Sequence, residues 1–182
     1  MKGNRGLLIA VIALVVLGAG WWMLRRGESV PGVDLVAGLE AAKKEPAAGT
    51  FEAVEAELNG EMRRAIYAPP ATRITWKVTV PENAWLNVAV GMKPESWTAE
   101  GNGVLFLVGV SDGKRFDELF RQHVNPFGNP GDRKWIPVWV DLSAYAGEEI
   151  GLIFNTRTGP DGQGDDPRND QALWGAPEII VR

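Results

Sequence analysis

Residues 73–81, RITWKVTVP, alternate strictly: Ile74, Trp76, Val78 and Val80 fall on one face, Thr75, Lys77 and Thr79 on the other. Successive side chains of a strand point to opposite faces, so this period of two predicts a strand buried on one side and wet on the other. Residues 85–92 (WLNVAVGM) repeat the alternation through Leu86, Val88, Val90 and Met92. Residues 103–111 (GVLFLVGVS) are apolar on both faces, as expected of a central strand covered from two sides. Residues 135–142 (WIPVWVDL) direct Ile136, Val138, Val140 and Leu142 inward before a turn at SAYAG. Residues 148–156 (EEIGLIFNT) place Ile150, Leu152 and Phe154 together, and a last short strand is expected over 178–181. The stretch GVSDGKRFDELFRQH (109–123) reads as strand, turn and short amphipathic helix, with Phe116, Leu119 and Phe120 packed inward. Strands in this number, separated by Gly, Pro and Asp turns, predict an all-β chain folded as an antiparallel β-sandwich or jelly roll.

Before Gly49 the pattern is different. Asp34 is a candidate N-cap for a helix over residues 35–44, in which Leu35, Leu39 and Ala42 share a face, Lys43 and Lys44 sit at the favourable C-terminal end and Pro46 stops the run. Residues 27–33 (GESVPGV) read as a linker. Further upstream, Leu7 to Leu24 (LLIAVIALVVLGAGWWML) carries no charge, with Lys2 and Arg5 before it and Arg25 and Arg26 after it. At about 1.5 Å per residue the run would span roughly 27 Å, close to a hydrocarbon core of about 30 Å, with Trp21 and Trp22 at the level of an aromatic belt. It reads as a transmembrane signal anchor. A cleaved signal peptide is the alternative, with Leu7–Leu17 as its apolar core and Gly18, Ala19 and Gly20 before the cut. Lys2, Arg5 and the terminal amine outweigh Arg25 and Arg26 with the nearby Glu28, so the N-terminus is expected in the cytoplasm and the large C-terminal part outside it, periplasmic or at the cell surface. The expected organisation is therefore an anchor at 1–26, a linker with a short helix at 27–49 and a β-sandwich at 50–182.

The 182 residues include no cysteine, which excludes disulfides, thiolate metal sites and a cysteine nucleophile. Setting aside Lys2, Arg5, Arg25 and Arg26, 15 basic residues remain against 23 acidic ones, a formal charge of −8 that argues against nucleic acid as a partner. Six of the eight tryptophans lie beyond the membrane segment, a richness that asks for a structural or binding role.

RKWIPVWVDLSAYAGEEIGLIFNT (133–156) and DDPRNDQALWGAPEIIV (165–181) resemble the end of galactose-binding-like β-sandwich domains: a Trp-led strand, an Asp-Leu-Ser turn with a Tyr-Ala-Gly corner, a strand of the type LIFNT, then Trp-Gly-x-Pro before the last strand. NGEMRRAIYAPPATRITWKVTVP (59–81) and AWLNVAVGMKPESW (84–97) are similar to the opening of the same domain. The resemblance covers roughly residues 50–182 and rests on scaffold motifs. It implies the fold of a carbohydrate-binding-module-like domain and, by analogy alone, an accessory module that binds carbohydrate.

Candidate site residues follow from the aromatic and acidic side chains. Trp135 and Trp139 lie four apart in one strand and share a side, opposite Ile136, Val138 and Val140, where two indoles would offer apolar faces to sugar rings. The competing role is core area, which large aromatics usually supply. Trp97 falls in the loop-like KPESWTAEGNG (93–103) with no periodic reason for burial. The acidic loop GPDGQGDDPRND (159–170) offers Asp161, Asp165, Asp166, Asn169 and Asp170 as oxygen ligands for a structural calcium, against a solvated turn neutralised by Arg157 and Arg168. His123 is the single histidine, and no nucleophile elbow, phosphate loop, dinucleotide fingerprint or zinc signature accompanies it. The expected function is therefore a non-enzymatic module binding glycan or cell-envelope polysaccharide. The alternative is an accessory subunit holding a membrane-protein partner.

Overall fold

The computed structural model describes residues 32–160 and 165–182. The segment at 7–24 lies outside the described residues, and among those described no helix is long and apolar enough to cross a membrane. In chain order the described strands are β1 (Val33–Asp34), β2 (Lys43–Glu45), β3 (Glu52–Leu58), β4 (Glu61–Tyr67), β5 (Thr72–Thr79), β6 (Ala84–Met92), β7 (Val104–Ser111), β8 (Phe116–Val124), β9 (Ile136–Asp141), β10 (Glu149–Thr158) and β11 (Ala172–Val181). One sheet runs β3-β4-β11-β6-β9 with β1 also on β11, and the other runs β2-β5-β10-β7-β8. All these pairings are antiparallel. The all-β architecture of two antiparallel sheets is the one expected.

The alternating strands land as their periodicity predicts. Ile74, Trp76 and Val78 of β5, Leu86, Val88 and Val90 of β6 and Ile150, Leu152 and Phe154 of β10 all enter one core between the sheets. Its centre is aromatic: Trp174 of β11 packs edge-on to Phe106 of β7, with centroids 5.0 Å apart, and tilted against Phe154 at 4.4 Å, while Phe154 meets Trp76 at 5.0 Å. Trp174 thus belongs to one sheet and its ring neighbours to the other, so burying these rings ties the two layers together. β7 lies between β10 and β8 and is buried on both faces, as its continuous apolar run predicts.

Three expectations are corrected. Residues 35–44 do not form a helix: after β1 at Val33–Asp34 they give a turn, a turn of 3-10 helix at Leu39–Ala41 and the start of β2. The capping chemistry of Asp34 survives as a turn, its Oδ1 accepting from the Ala37 N–H at 2.9 Å. A ten-residue helix is marginal by itself, whereas here Leu35, Val36 and Leu39 are all buried in the sandwich core and Lys43–Glu45 pair with β5. The segment expected as a linker therefore contributes to both sheets. The second correction is at 116–124, where β8 replaces the expected amphipathic helix because it completes the hydrogen bonding of β7. A bulge opposite Val108 and Gly109 accommodates Leu119, which with Phe120 packs partly against the core while Phe116 stays exposed. Third, the last strand begins at Ala172 rather than 178. An irregularity between Gly175 and Glu178, with Ala176 at φ 43°, divides β11 into a part paired to β4 and a part paired to β1.

Candidate functional site

The outer face of the β11-β6-β9 sheet carries the tryptophans singled out by the sequence, in two unlike environments. Trp135 and Trp139 lie on the side away from Val138 and Val140, as their spacing predicts. Trp135 is nonetheless buried, 4% exposed, in a satellite cluster with Leu58, Ala65, Ala89 and Leu173. The β3–β4 hairpin covers it: its Nε1 donates to the Glu61 carbonyl at 2.9 Å and the Arg63 guanidinium lies 5.9 Å from its ring. Trp97 packs partly buried against the same cluster and donates from Nε1 to the Met92 carbonyl at 3.0 Å. Both indoles therefore hold the hairpin and the 93–97 turn onto the sheet.

Trp139 is different. It is 44% exposed and stands in register with Asn87 of β6, which in turn pairs with Glu178 of β11. Cross-strand partners project from one face, so Trp139, Asn87 and Glu178 form a polar-aromatic row about 10 Å long at a strand spacing of about 4.8 Å. The Asn87 amide donates to Glu178 Oε1 at 2.9 Å, which fixes both groups. Trp85 lies one row further on, opposite Asp141 and Ile180, and the Arg182 guanidinium sits 4.0 Å from the Trp139 ring and 5.5 Å from that of Trp85. This group of two indoles, an amide, a carboxylate and a guanidinium offers an apolar surface next to directional donors and acceptors. The structure does not bring Trp97, Trp135 and Trp139 together. Sequence reasoning passed over Trp85, Asn87, Glu178 and Arg182, although Trp85 and Asn87 sit on the polar side of the alternation that placed Leu86 and Val88 in the core.

The acidic loop gathers less than its composition suggests. Asp161 lies outside the described residues. Asp165 Oδ1 accepts from the Thr158 hydroxyl at 2.9 Å. Asp166 is held by Arg168, through Nε at 2.8 Å and Nη2 at 2.7 Å, and this pairing keeps its carboxyl down at about 2. Asp170 is 3% exposed, and burial, with the negative charge of Asp166 added, pushes its carboxyl up to about 7. Among the described residues no three His, Cys, Asp or Glu side chains converge as a metal set. His123 is half-buried and its Nε2 lies 2.7 Å from the Asn102 carbonyl, tying β8 to the loop before β7.

Solved structures share this architecture. A CBM51 module from Clostridium perfringens GH95, determined with methyl-galactose, is 15% identical and superimposes with a TM-score of 0.57 over 82% of this chain and 100% of that one. The CBM51-2 and INT domains of Clostridium perfringens ZmpB give 13% identity and a TM-score of 0.56 over 76% of this chain and 29% of theirs. Tandem CBM51 modules of a family 98 glycoside hydrolase from Streptococcus pneumoniae give 12% and 0.52 over 83% and 47%. The chain thus has the β-sandwich fold of carbohydrate-binding modules. No family model matches it. An uncharacterised protein of Archaeoglobus fulgidus is 41% identical over 105 residues, which span 57% of this chain and 25% of that protein, so the match takes in a quarter of the relative's length.

Proposed function

We propose that this chain is a non-enzymatic glycan-binding module, held at the membrane by residues 7–24 with its sandwich outside the cytoplasm, and that it takes cell-envelope polysaccharide on the Trp139 face. The observation that carries this reading is the exposure of Trp139 beside the fixed Asn87–Glu178 pair. A pyranose ring presents an apolar C–H face to an indole and hydroxyls around its rim; an amide, a carboxylate and a guanidinium supply acceptors and donors for those hydroxyls. Arg182 now lies over the Trp139 ring, and an exposed cation–π contact of this kind is worth only about 0.5–1 kcal/mol, so a sugar displaces it cheaply and keeps its guanidinium at the margin of the site. The uncharged run Leu7–Leu24 bracketed by basic residues supports the anchor.

The test is a glycan array probed with the detergent-solubilised 182-residue chain and its Trp139→Ala variant. Binding to a defined set of glycans that the variant loses by about tenfold or more supports the reading. No glycan retained by either protein, with a membrane protein co-purifying instead, would replace it with the accessory-subunit role.

A further inference from the structure

The opposite sheet carries a groove of about 440 Å³ on its own outer face, away from the Trp139 row. Its floor is apolar: Leu107 of β7 lies beneath it and is only 4% exposed although it projects outward from the sheet. Phe116 forms one wall. Its ring lies back over Gly109, where an added Cβ would come within 2.5 Å of it, and it remains 48% exposed. The other wall is built by Glu45, Pro46 and Arg73, and Asn155 and Arg157 of β10 line the space between the walls. Cross-strand register sets these groups in line, with Glu45 opposite Arg73 and Arg73 opposite Asn155.

The charge of the groove is uneven. Glu118 is gripped by Arg121 through Nε and Nη2, both at 2.8 Å, and Glu45 pairs with Lys43 at 3.0 Å. Arg73, by contrast, donates from Nε to the uncharged amide oxygen of Asn155 at 2.8 Å, which fixes the plane of its guanidinium. Arg157 adds a further cation beside Glu118. Both carboxylates of the groove thus have a cation, while the oriented fork of Arg73 is held by a neutral group. A planar fork of this kind matches a carboxylate in two-pronged fashion, and the exposed Phe116 ring matches the C–H face of a sugar. One oriented guanidinium beside one aromatic wall suits an isolated carboxylate on a ring better than the dense charge of a nucleic acid.

We propose that this groove is a second binding site, separate from the Trp139 face, for polysaccharide that bears uronic-acid carboxylates, with Arg73 receiving the carboxylate and Phe116 the ring. It goes beyond the glycan reading of the Trp139 face and does not depend on it. The experiment titrates short oligogalacturonates, the matching neutral oligogalactosides and a single-stranded DNA oligomer into the solubilised 182-residue chain and three variants, Arg73→Ala, Phe116→Ala and Trp139→Ala, each confirmed folded by circular dichroism and melting temperature. Preference for the uronate over the neutral oligomer, weakened tenfold or more by Arg73→Ala and by Phe116→Ala and unchanged by Trp139→Ala, is the result expected. Equal binding of uronate and neutral oligomers, equal binding of DNA, or retention of full uronate affinity in Arg73→Ala or Phe116→Ala overturns it. Loss of neutral-glycan binding in Trp139→Ala reports on the other face alone, so the two readings fail separately.

Discussion

The six-membered ring of Trp135 lies so close over Gly175 that a Cβ added there would stand 2.7 Å from its Cζ3. Gly175 is in the middle of β11, in register with Ala65 on one side and Ala89 on the other, so the indole rests on a strip of small residues. The Gly175→Ala substitution forces the ring or the β3–β4 hairpin outward. It is expected to cost about 1–3 kcal/mol, read as a lowered urea midpoint with an unchanged slope.

Trp135 and Trp139 share a strand and a face but not a role, and alanine separates them. Trp135→Ala empties the satellite cluster and should destabilise the fold by about 3–5 kcal/mol. Trp139→Ala removes a half-exposed ring and should stay within about 0.5 kcal/mol of the parent while glycan affinity drops. Chemical denaturation of the two variants side by side checks the pair.

Thr156 Oγ1 lies 3.0 Å from the Ala68 carbonyl and 2.5 Å from Thr72 Oγ1, itself 3.3 Å from the same carbonyl, so the two hydroxyl protons serve one bond between the hydroxyls and one to the carbonyl. Both threonines are buried, so this small network ties β5 and β10 to the turn that leaves β4. Thr156→Val keeps the shape and removes the bond, with an expected loss of about 1–2 kcal/mol. A Thr72→Val, Thr156→Val double-mutant cycle should show the two losses to be non-additive.

Asp170 sets a pH dependence. Unfolded, its carboxyl ionises near pH 4; folded, burial and Asp166 raise it to about 7. Between those values the folded chain holds a proton that the unfolded chain has released, so stability falls as pH rises through the window and levels off above about 7. The Arg168 charge nearby is committed to Asp166. Asp170→Asn should flatten the profile between pH 4 and 7 and exceed the parent's stability at pH 8 by on the order of a few kcal/mol, measured by melting temperature across that range.

Much of the sandwich was legible because one-sided burial writes itself into a strand every second residue: Ile74, Trp76 and Val78 carry β5, and Leu86, Val88 and Val90 carry β6. The hairpin of β3 and β4 was less visible, since its strands are largely exposed and mark themselves chiefly by Asn59-Gly60, both at positive φ, a pairing suited to a tight hairpin turn. The 35–44 and 116–124 segments both carry a local pattern that fits a helix: the partner of Lys43–Glu45 is β5, beyond the β3–β4 hairpin, whereas β8 folds straight back on β7 across the 112–115 turn, and the bulge at Leu119 breaks the alternation that would have marked it as a strand.

The sequence by itself determined that the region after Gly49 is built on an antiparallel β-sandwich, which faces of the main strands enter the core, and that Trp135 and Trp139 emerge on the same side. Those are consequences of period and of local backbone geometry. Only the tertiary structure decided that Trp135 is roofed by a hairpin while Trp139 stays open beside Asn87, Glu178 and Arg182, and that Arg73, Asn155 and Phe116 line one groove. The reason is physical: exposure and juxtaposition depend on which strands become neighbours across the sheet, and that pairing is fixed by burial and hydrogen bonding between segments far apart in the chain.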